Sequence, residues 1–271
     1  MVSQHRISVI MPCFNHGEFL PEAVASVVGP KREDLELIVV DDGSTDEGTR
    51  KRMEEMCARG IKVIRQENRG LSAARNAGIA ASQGEYIFPL DADDRMRSGW
   101  IDKALEILDS NPKVGVVYGD TELFGTKTGR WRTGQFDPEQ MLERNSLTAS
   151  ALYRRSIWEQ NGGYDEAMLQ GYEDWDFWVG ALERGWIFAY LPEVLFEYRK
   201  AEESMLTRVS EFKGQVEDYV ARKHGPLYRR AWLRHVTEGM SITRTSRRLG
   251  RLVLVRAKRK CQALFRRETR T

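Results

Sequence analysis

Long hydrophobic runs are missing from this chain of 271 residues. No stretch approaches the roughly 18 consecutive apolar residues of a membrane-spanning helix. The N-terminus has no basic segment followed by a long apolar one, so no cleaved leader is expected. Cysteine is scarce: Cys13, Cys57 and Cys261 are odd in number and far apart. Such a set excludes a disulfide framework and a CxxC metal site and points to a reducing, cytoplasmic compartment. Internal repeats and low-complexity segments are absent too. What remains, 41% hydrophobic and 30% charged, is the composition of a soluble globular protein long enough to bury a sizeable core.

The charge is unevenly spread. From Arg244 onward eleven Lys and Arg face one acid, Glu268, which leaves 31 basic against 39 acidic residues in the first 243. An acidic body with a basic tail suits an anionic partner such as phospholipid headgroups. Leu249, Leu252, Val253, Ala257, Cys261 and Leu264 recur at helical spacing within the tail, although Arg256 and Lys260 interrupt the apolar stripe. Peripheral binding to an anionic membrane surface competes here with a solvated or dimer-packing helix, so an oligomer stays open. Nucleic acid is not expected, because the acidic body offers no supporting groove.

Short apolar runs alternate with helical patterns through the first 120 residues: "ISVIMP", "GEFLPEAVASVV", "LELIVVDD", "TDEGTRKRMEEMCARG", "KVIRQ", "LSAARNAGIAASQ" and "EYIFPLDAD". This βα alternation predicts an α/β fold with a parallel sheet flanked by helices. "WIDKALEILDSN" reads as a helix, "KVGVVYGD" as a strand and "TELFGTKTGRWRTGQ" as an irregular hairpin or loop. "DPEQMLERN" follows as a short helix and "TASALYRR" as a strand, then "EDWDFWVGALERG" as a helix and "WIFAYLP" and "VLFEYRK" as closing strands. In open α/β sheets the ligand crevice lies beyond the carboxyl ends of the strands, where "DDGSTD" and "DADD" fall.

Three carboxylates within four positions, at the end of "GEYIFPLDADD", repel one another unless something neutralises them. Asp91 and Asp93 stand two apart, so on extended backbone they project to one side and can share Mg²⁺ or Mn²⁺ with a diphosphate. The competing reading is an acidic surface turn. In "DDGSTDEG", Ser44 with Glu47 forms a capping box, whereas Asp41 and Asp42 precede it and can accept from a base N–H or ribose hydroxyls. Asn68, Arg69, Gly70 and Arg75 surround a helix start suited to phosphate or uracil oxygens, against the alternative of an ordinary turn with solvated arginines.

"ISVIMPCFNHGEFLPEAVASV", "ELIVVDDGSTD", "NRGLSAARNAGI", "GEYIFPLDADD", "GGYDE" and "GYEDWDFWVGALERG" occur in the order and approximate spacing of the family 2 glycosyltransferases. The chain resembles that family over roughly residues 6–205. The resemblance implies a GT-A fold, with a mostly parallel central sheet flanked by helices. Residues 1–205 would form the transferase domain, split into a nucleotide-binding half to 120 and an acceptor half from 121, and 206–271 a helical, basic extension. It further implies Pro12, Phe14, Asn15, Asp41 or Asp42, Asn68, Gly70, Arg75, Asp91 and Ala92 at a nucleotide-diphosphate sugar, UDP by family habit. Asp91 and Asp93 would serve Mn²⁺ or Mg²⁺. Asp174 would be the base of an inverting displacement, with Glu173 the alternative, and the α-helix dipole there would favour the ionised form. Trp131, Asn145 and Trp175 would meet a glycan or lipid-linked acceptor.

Two departures bear on this reading. Ala201 replaces a His that many relatives carry after the last strand, which predicts weak affinity for the free ion. No QxxRW motif is present, which favours single additions over processive synthesis. A sugar-phosphate nucleotidyltransferase would carry a glycine-rich basic loop after its first strand, unlike "MPCFNHG". An aspartyl-phosphate phosphatase would place its DxD on the first strand, and a non-catalytic binding module of the same fold is separated only by turnover.

Overall fold

The structure, a computed structural model, describes residues 6–169, 171–201 and 212–237. Its first half is the expected alternation: β1 (Ile7–Cys13), α1 (Leu20–Val28), β2 (Leu35–Asp41), α2 (Glu47–Ala58), β3 (Lys62–Arg65), α3 (Leu71–Ala80) and β4 (Tyr86–Pro89). These strands pair in parallel in the order β3-β2-β1-β4. Because β2 and β3 lie to one side of β1 and β4 to the other, the connections diverge at β1, which opens a crevice beyond the strand ends there.

The second half turns the parallel sheet into a mixed one. After β5 (Arg95–Met96) and α4 (Ile101–Ser110) come β6 (Val114–Gly125), β7 (Gly129–Trp131), α5 (Pro138–Glu143), β8 (Leu152–Arg154), α6 (Arg155–Asn161), α7 (Glu173–Glu183) and β9 (Ile187–Lys200). β8 inserts antiparallel between β4 and β6, and β6 pairs in parallel with β9. β4, β6 and β9 therefore point the same way, so the ends of β6 and β9 join the crevice. Four details differ from the sequence reading. The two closing strands are one irregular strand, β9; "TASALYRR" is strand only at its end; and β5 and α6 had no counterpart. The irregular segment after "KVGVVYGD" is an ordered hairpin, with Thr121 opposite Trp131.

Strand alternation divides the core. Ile7, Val9, Met11 and Cys13 of β1 face a cluster with α1, α2 and α4, whereas Ile10 faces one with α3 and α5–α7. β2 splits likewise, Leu37 and Val39 against Ile38 and Val40. Two further helices, α8 (Lys213–Lys223) and α9 (Gly225–Thr237), pack Val220, Leu227, Tyr228 and Ala231 into the second cluster. Thus α3 and α7 share one face of the sheet. The sequence expectation for the tail from Arg244 lies outside the described residues.

Candidate active site

Three strand ends build the crevice, and most of their carboxylates are already committed. Asp41 accepts from the Ser44 N–H at 2.9 Å. Asp42 accepts from Gln66 Nε2 at 2.6 Å and from the Arg69 and Gly70 N–H groups at 3.0 and 2.8 Å. Both are buried, and both shape loops. Asn15, at φ 56°, bridges from the end of β1: its Oδ1 accepts from the Thr45 N–H at 2.8 Å and its own N–H donates to the Ser44 hydroxyl at 3.1 Å. Ser44 is thereby taken up, and α2 is capped instead by Asp46, which accepts from the Thr49 N–H at 2.7 Å. The expected Ser44–Glu47 capping box is corrected on that ground: tertiary hydrogen bonds outcompeted the local one.

Pro12 is buried, Phe14 is 42% exposed, and Asn68 is exposed against Gly43. An open groove of about 330 Å³, lined by Asn15, Gly17, Glu18, Asp46, Thr49 and Arg52, separates the end of β1 from the start of α2. None of the acidic residues around Arg75 lines it.

The "DADD" segment is a turn. β4 ends at Pro89, and the Asp94 N–H closes onto the Asp91 carbonyl at 3.0 Å. The extended geometry expected for Asp91 and Asp93 is therefore corrected, because a β-turn brings them together. It also sorts the three acids. Asp94 is buried and accepts from the Arg199 N–H at 2.8 Å, and Ala92 is buried, whereas Asp91 and Asp93 stay partly exposed. Burial and the charge of Asp91 push the Asp93 carboxyl above its usual range, against the opposing charges of His16 and Arg199.

The residues present fit a divalent cation in one respect: among the described residues Asp93 has no cation at ion-pair distance, and its raised carboxyl is what an incoming positive charge would relieve. By themselves they do not make a metal cage. Among the described residues no group of three His, Cys, Asp or Glu is placed to hold an ion. Oxygen ligands from a diphosphate and water would have to complete the shell.

Arg75 ties this turn to α7. It is 1% exposed, donates through Nη2 to Asp91 Oδ1 at 2.9 Å and through Nη1 to Glu173 Oε1, and lies 5.5 Å from the Tyr164 ring centroid. Its Nε has no partner among the described residues. A guanidinium so enclosed persists only because two carboxylates compensate it, and removing one partner of such a pair costs about 3–5 kcal/mol.

Asp174 sits beside Glu173 with Oδ2 accepting from Asn145 Nδ2 at 2.9 Å and Oδ1 from the Trp175 N–H at 2.8 Å. Burial first, and the Glu173 charge second, push its carboxyl up to about 7, although Arg75 and both hydrogen bonds pull the other way. Burial and Glu173 thus act against the helix dipole, which favours the ionised form. Tyr172, immediately before α7, has φ 63°, a left-handed backbone that costs a residue with a side chain about 1–2 kcal/mol. That turn aims Glu173 at Arg75.

On the acceptor side, Asn145 reaches the carboxyl of Asp174, and Trp131 is 44% exposed on the hairpin. Trp175 is 2% exposed and gives its indole N–H to the Met141 carbonyl at 2.6 Å, a packing position with no face open to a sugar. Two residues at the site had not been singled out. Arg199 donates to the Asp93 carbonyl and the Asp94 carboxylate and stacks 4.4 Å from the Phe19 centroid. Tyr198 has its hydroxyl pushed up by burial and by Asp94, Asp91, Asp93 and Asp174 together. The "YRK" end of the last strand was the available signal for both.

Comparison with known proteins agrees with this architecture. The model of glycosyl transferase family 2 matches residues 8–171. The chain is 36% identical over 115 residues to the uncharacterized glycosyltransferase alr2836 of Nostoc sp. PCC 7120, covering 42% of this chain and 36% of that protein. It is 27% identical over 238 residues to the uncharacterized glycosyltransferase EpsJ of Bacillus subtilis, covering 80% and 67%. The crystal structure of S. aureus TarS 1-349 in complex with UDP-GlcNAc superposes with a TM-score of 0.65 at 19% identity, over 82% of this chain and 66% of that one. The chain belongs to the family 2 glycosyltransferases and has their GT-A fold. It spans about a third of the length of the Nostoc protein and about two thirds of EpsJ.

Proposed function

We propose that the protein transfers a sugar, with inversion, from a nucleotide-diphosphate sugar to a hydroxyl of a glycan or lipid-linked acceptor, one residue per encounter. Asp174 takes the proton of the acceptor hydroxyl as the new bond forms at the anomeric carbon. The bond to the diphosphate oxygen breaks on the opposite face, and the electron pair leaves with the nucleoside diphosphate. Asp91 and Asp93 would hold Mn²⁺ or Mg²⁺, which when bound neutralises the leaving diphosphate. Arg75 holds Asp91 against the start of α7, and Asn145 orients the base. UDP is the proposed nucleotide, supported by the UDP-GlcNAc bound to TarS. The basic tail would bring the enzyme to an anionic cytoplasmic leaflet.

The observation that carries the reading is the carboxyl of Asp174, poised near neutrality one residue from the arginine-linked pair that reaches Asp91. A proton acceptor of that strength suits general base catalysis near pH 7. The test is a panel of nucleotide sugars screened by calorimetry with Mn²⁺, followed by transfer assays. One donor should bind and turn over, and Asp174→Asn should keep its binding while losing at least about a hundredfold in kcat. Turnover that survives that substitution would remove Asp174 from the role.

A further inference from the structure

A second buried charge cluster lies on the opposite side of α7, at the junction of α8 and α9. Lys223 Nζ reaches Asp176 Oδ2 and Asp165 Oδ2, each at 2.7 Å. His224 Nε2 stands 3.0 Å from Asp176 Oδ1, and its Nδ1 stands 2.8 Å from Glu183 Oε2. Asp176 and His224 are 4% and 5% exposed. The Tyr219 hydroxyl adds a second contact to Asp165 Oδ2 at 2.7 Å. Asp176 and Glu183 are seven apart, two helical turns, and so face the same way. One imidazole therefore spans two turns of α7.

This arrangement answers a weakness at the start of that helix. Its N-cap, Tyr172, is left-handed and makes no side-chain cap hydrogen bond. A first turn without a side-chain bond from its N-cap frays easily, and here the Trp175 N–H is held locally by the neighbouring Asp174 Oδ1 at 2.8 Å; yet this turn carries Glu173 and Asp174. Asp176 belongs to the same turn and lies about 200° around the helix from Asp174. Fixing Asp176 from behind thus fixes the direction of Asp174 in front. The neighbouring loop is held from both sides as well, since Asp165 joins Lys223 while Glu166 pairs with Arg69 at 2.6 Å beside the turn that Asp42 organises.

We propose that Lys223 and His224 are positioning residues for the base-bearing turn of α7, so that a helical hairpin beyond the family-matched stretch completes the site. The inference rests on Asp174 being the base. In the full chain, Lys223→Gln should lower kcat by at least about fivefold through misorientation, with UDP affinity by calorimetry within about twofold. His224→Ala should do the same more strongly. Lys223→Arg, which keeps both ion pairs, should restore most of the rate. Lys223 has 38% of its side chain exposed, so its replacements are tolerated by the fold. Hydrogen exchange at the amides of 173–177 should accelerate in Lys223→Gln and not in Lys223→Arg. Unchanged exchange overturns the proposal, as does a lost rate that Lys223→Arg fails to recover. If the wild-type chain transfers no sugar, the function reading fails while exchange still decides the positioning role.

Discussion

At the scale of single residues, the site depends on how few charges are balanced. Asp174 is raised by burial and by Glu173, and as the proposed base it would work only when deprotonated. Transfer should therefore climb about tenfold per pH unit below a midpoint near 7 and level off above it. Glu173→Gln removes the like charge while leaving burial intact, so the midpoint should move to lower pH. A pH–rate profile that keeps its midpoint would assign the whole shift to burial. The same shift has a consequence for stability. A carboxyl raised in the folded state stabilises it fully below the unfolded pKa near 3.8, and this contribution is lost as pH climbs through about 7. Asp174→Asn, which cannot ionise, should accordingly melt higher than wild type at pH 8, by on the order of 1–3 kcal/mol, and show little gain at pH 4.

At the scale of elements, close packing sets the distances within the site. Gly78 of α3 lies against the sheet, and a Cβ there would come within 2.5 Å of Ile10 Cγ2 and 3.0 Å of Val40 Cγ2. Both neighbours are branched core side chains with no room to retreat. Gly78→Ala gains about 1 kcal/mol in helix propensity against about 1–3 kcal/mol of overpacking. The net should be a loss, read as a lower urea midpoint. Because Arg75 sits one turn earlier on the same helix, donor affinity should fall with it. An unchanged urea midpoint would mean that α3 can ride outward freely.

Legibility in the sequence divides at this scale. β1, β2 and β4 were plain as apolar runs buried on both faces, whereas the edge strand β3 has half-buried Val63 and Ile64 between exposed Lys62 and Arg65; α1 to α4 were plain because their apolar residues repeat at helical spacing. β5 is two residues long, and α6 starts directly after β8 on Arg154, whose side chain makes no capping bond. Neither leaves a local signal. Motif order pointed to the ends of β2 and β4, but it could not say which of their acids are taken up by backbone N–H groups. Asp42 and Asp94 are spent on backbone N–H groups brought from residues 69, 70 and 199, contacts that exist only once the sheet has formed.

At the scale of the whole molecule, charge separates into two regions. Among the described residues no helix is long and apolar enough to cross a membrane. Arg222, Arg229, Arg230 and Arg234 are nevertheless exposed on α8 and α9, on the hairpin that leads to the eleven basic residues from Arg244 onward. Each Lys or Arg near an anionic leaflet contributes about 1 kcal/mol, and salt erodes the attraction as the screening length shrinks. The full chain should therefore co-sediment with phosphatidylserine-containing vesicles at low salt, leave them at about 0.5 M NaCl, and ignore neutral phosphatidylcholine vesicles. A chain ending at Ile242 lacks the densest part of that charge and should bind much less. Equal sedimentation of the two chains would assign any attraction to the hairpin arginines or to the body, and the tail would then have no part in bringing the enzyme to a lipid-linked acceptor.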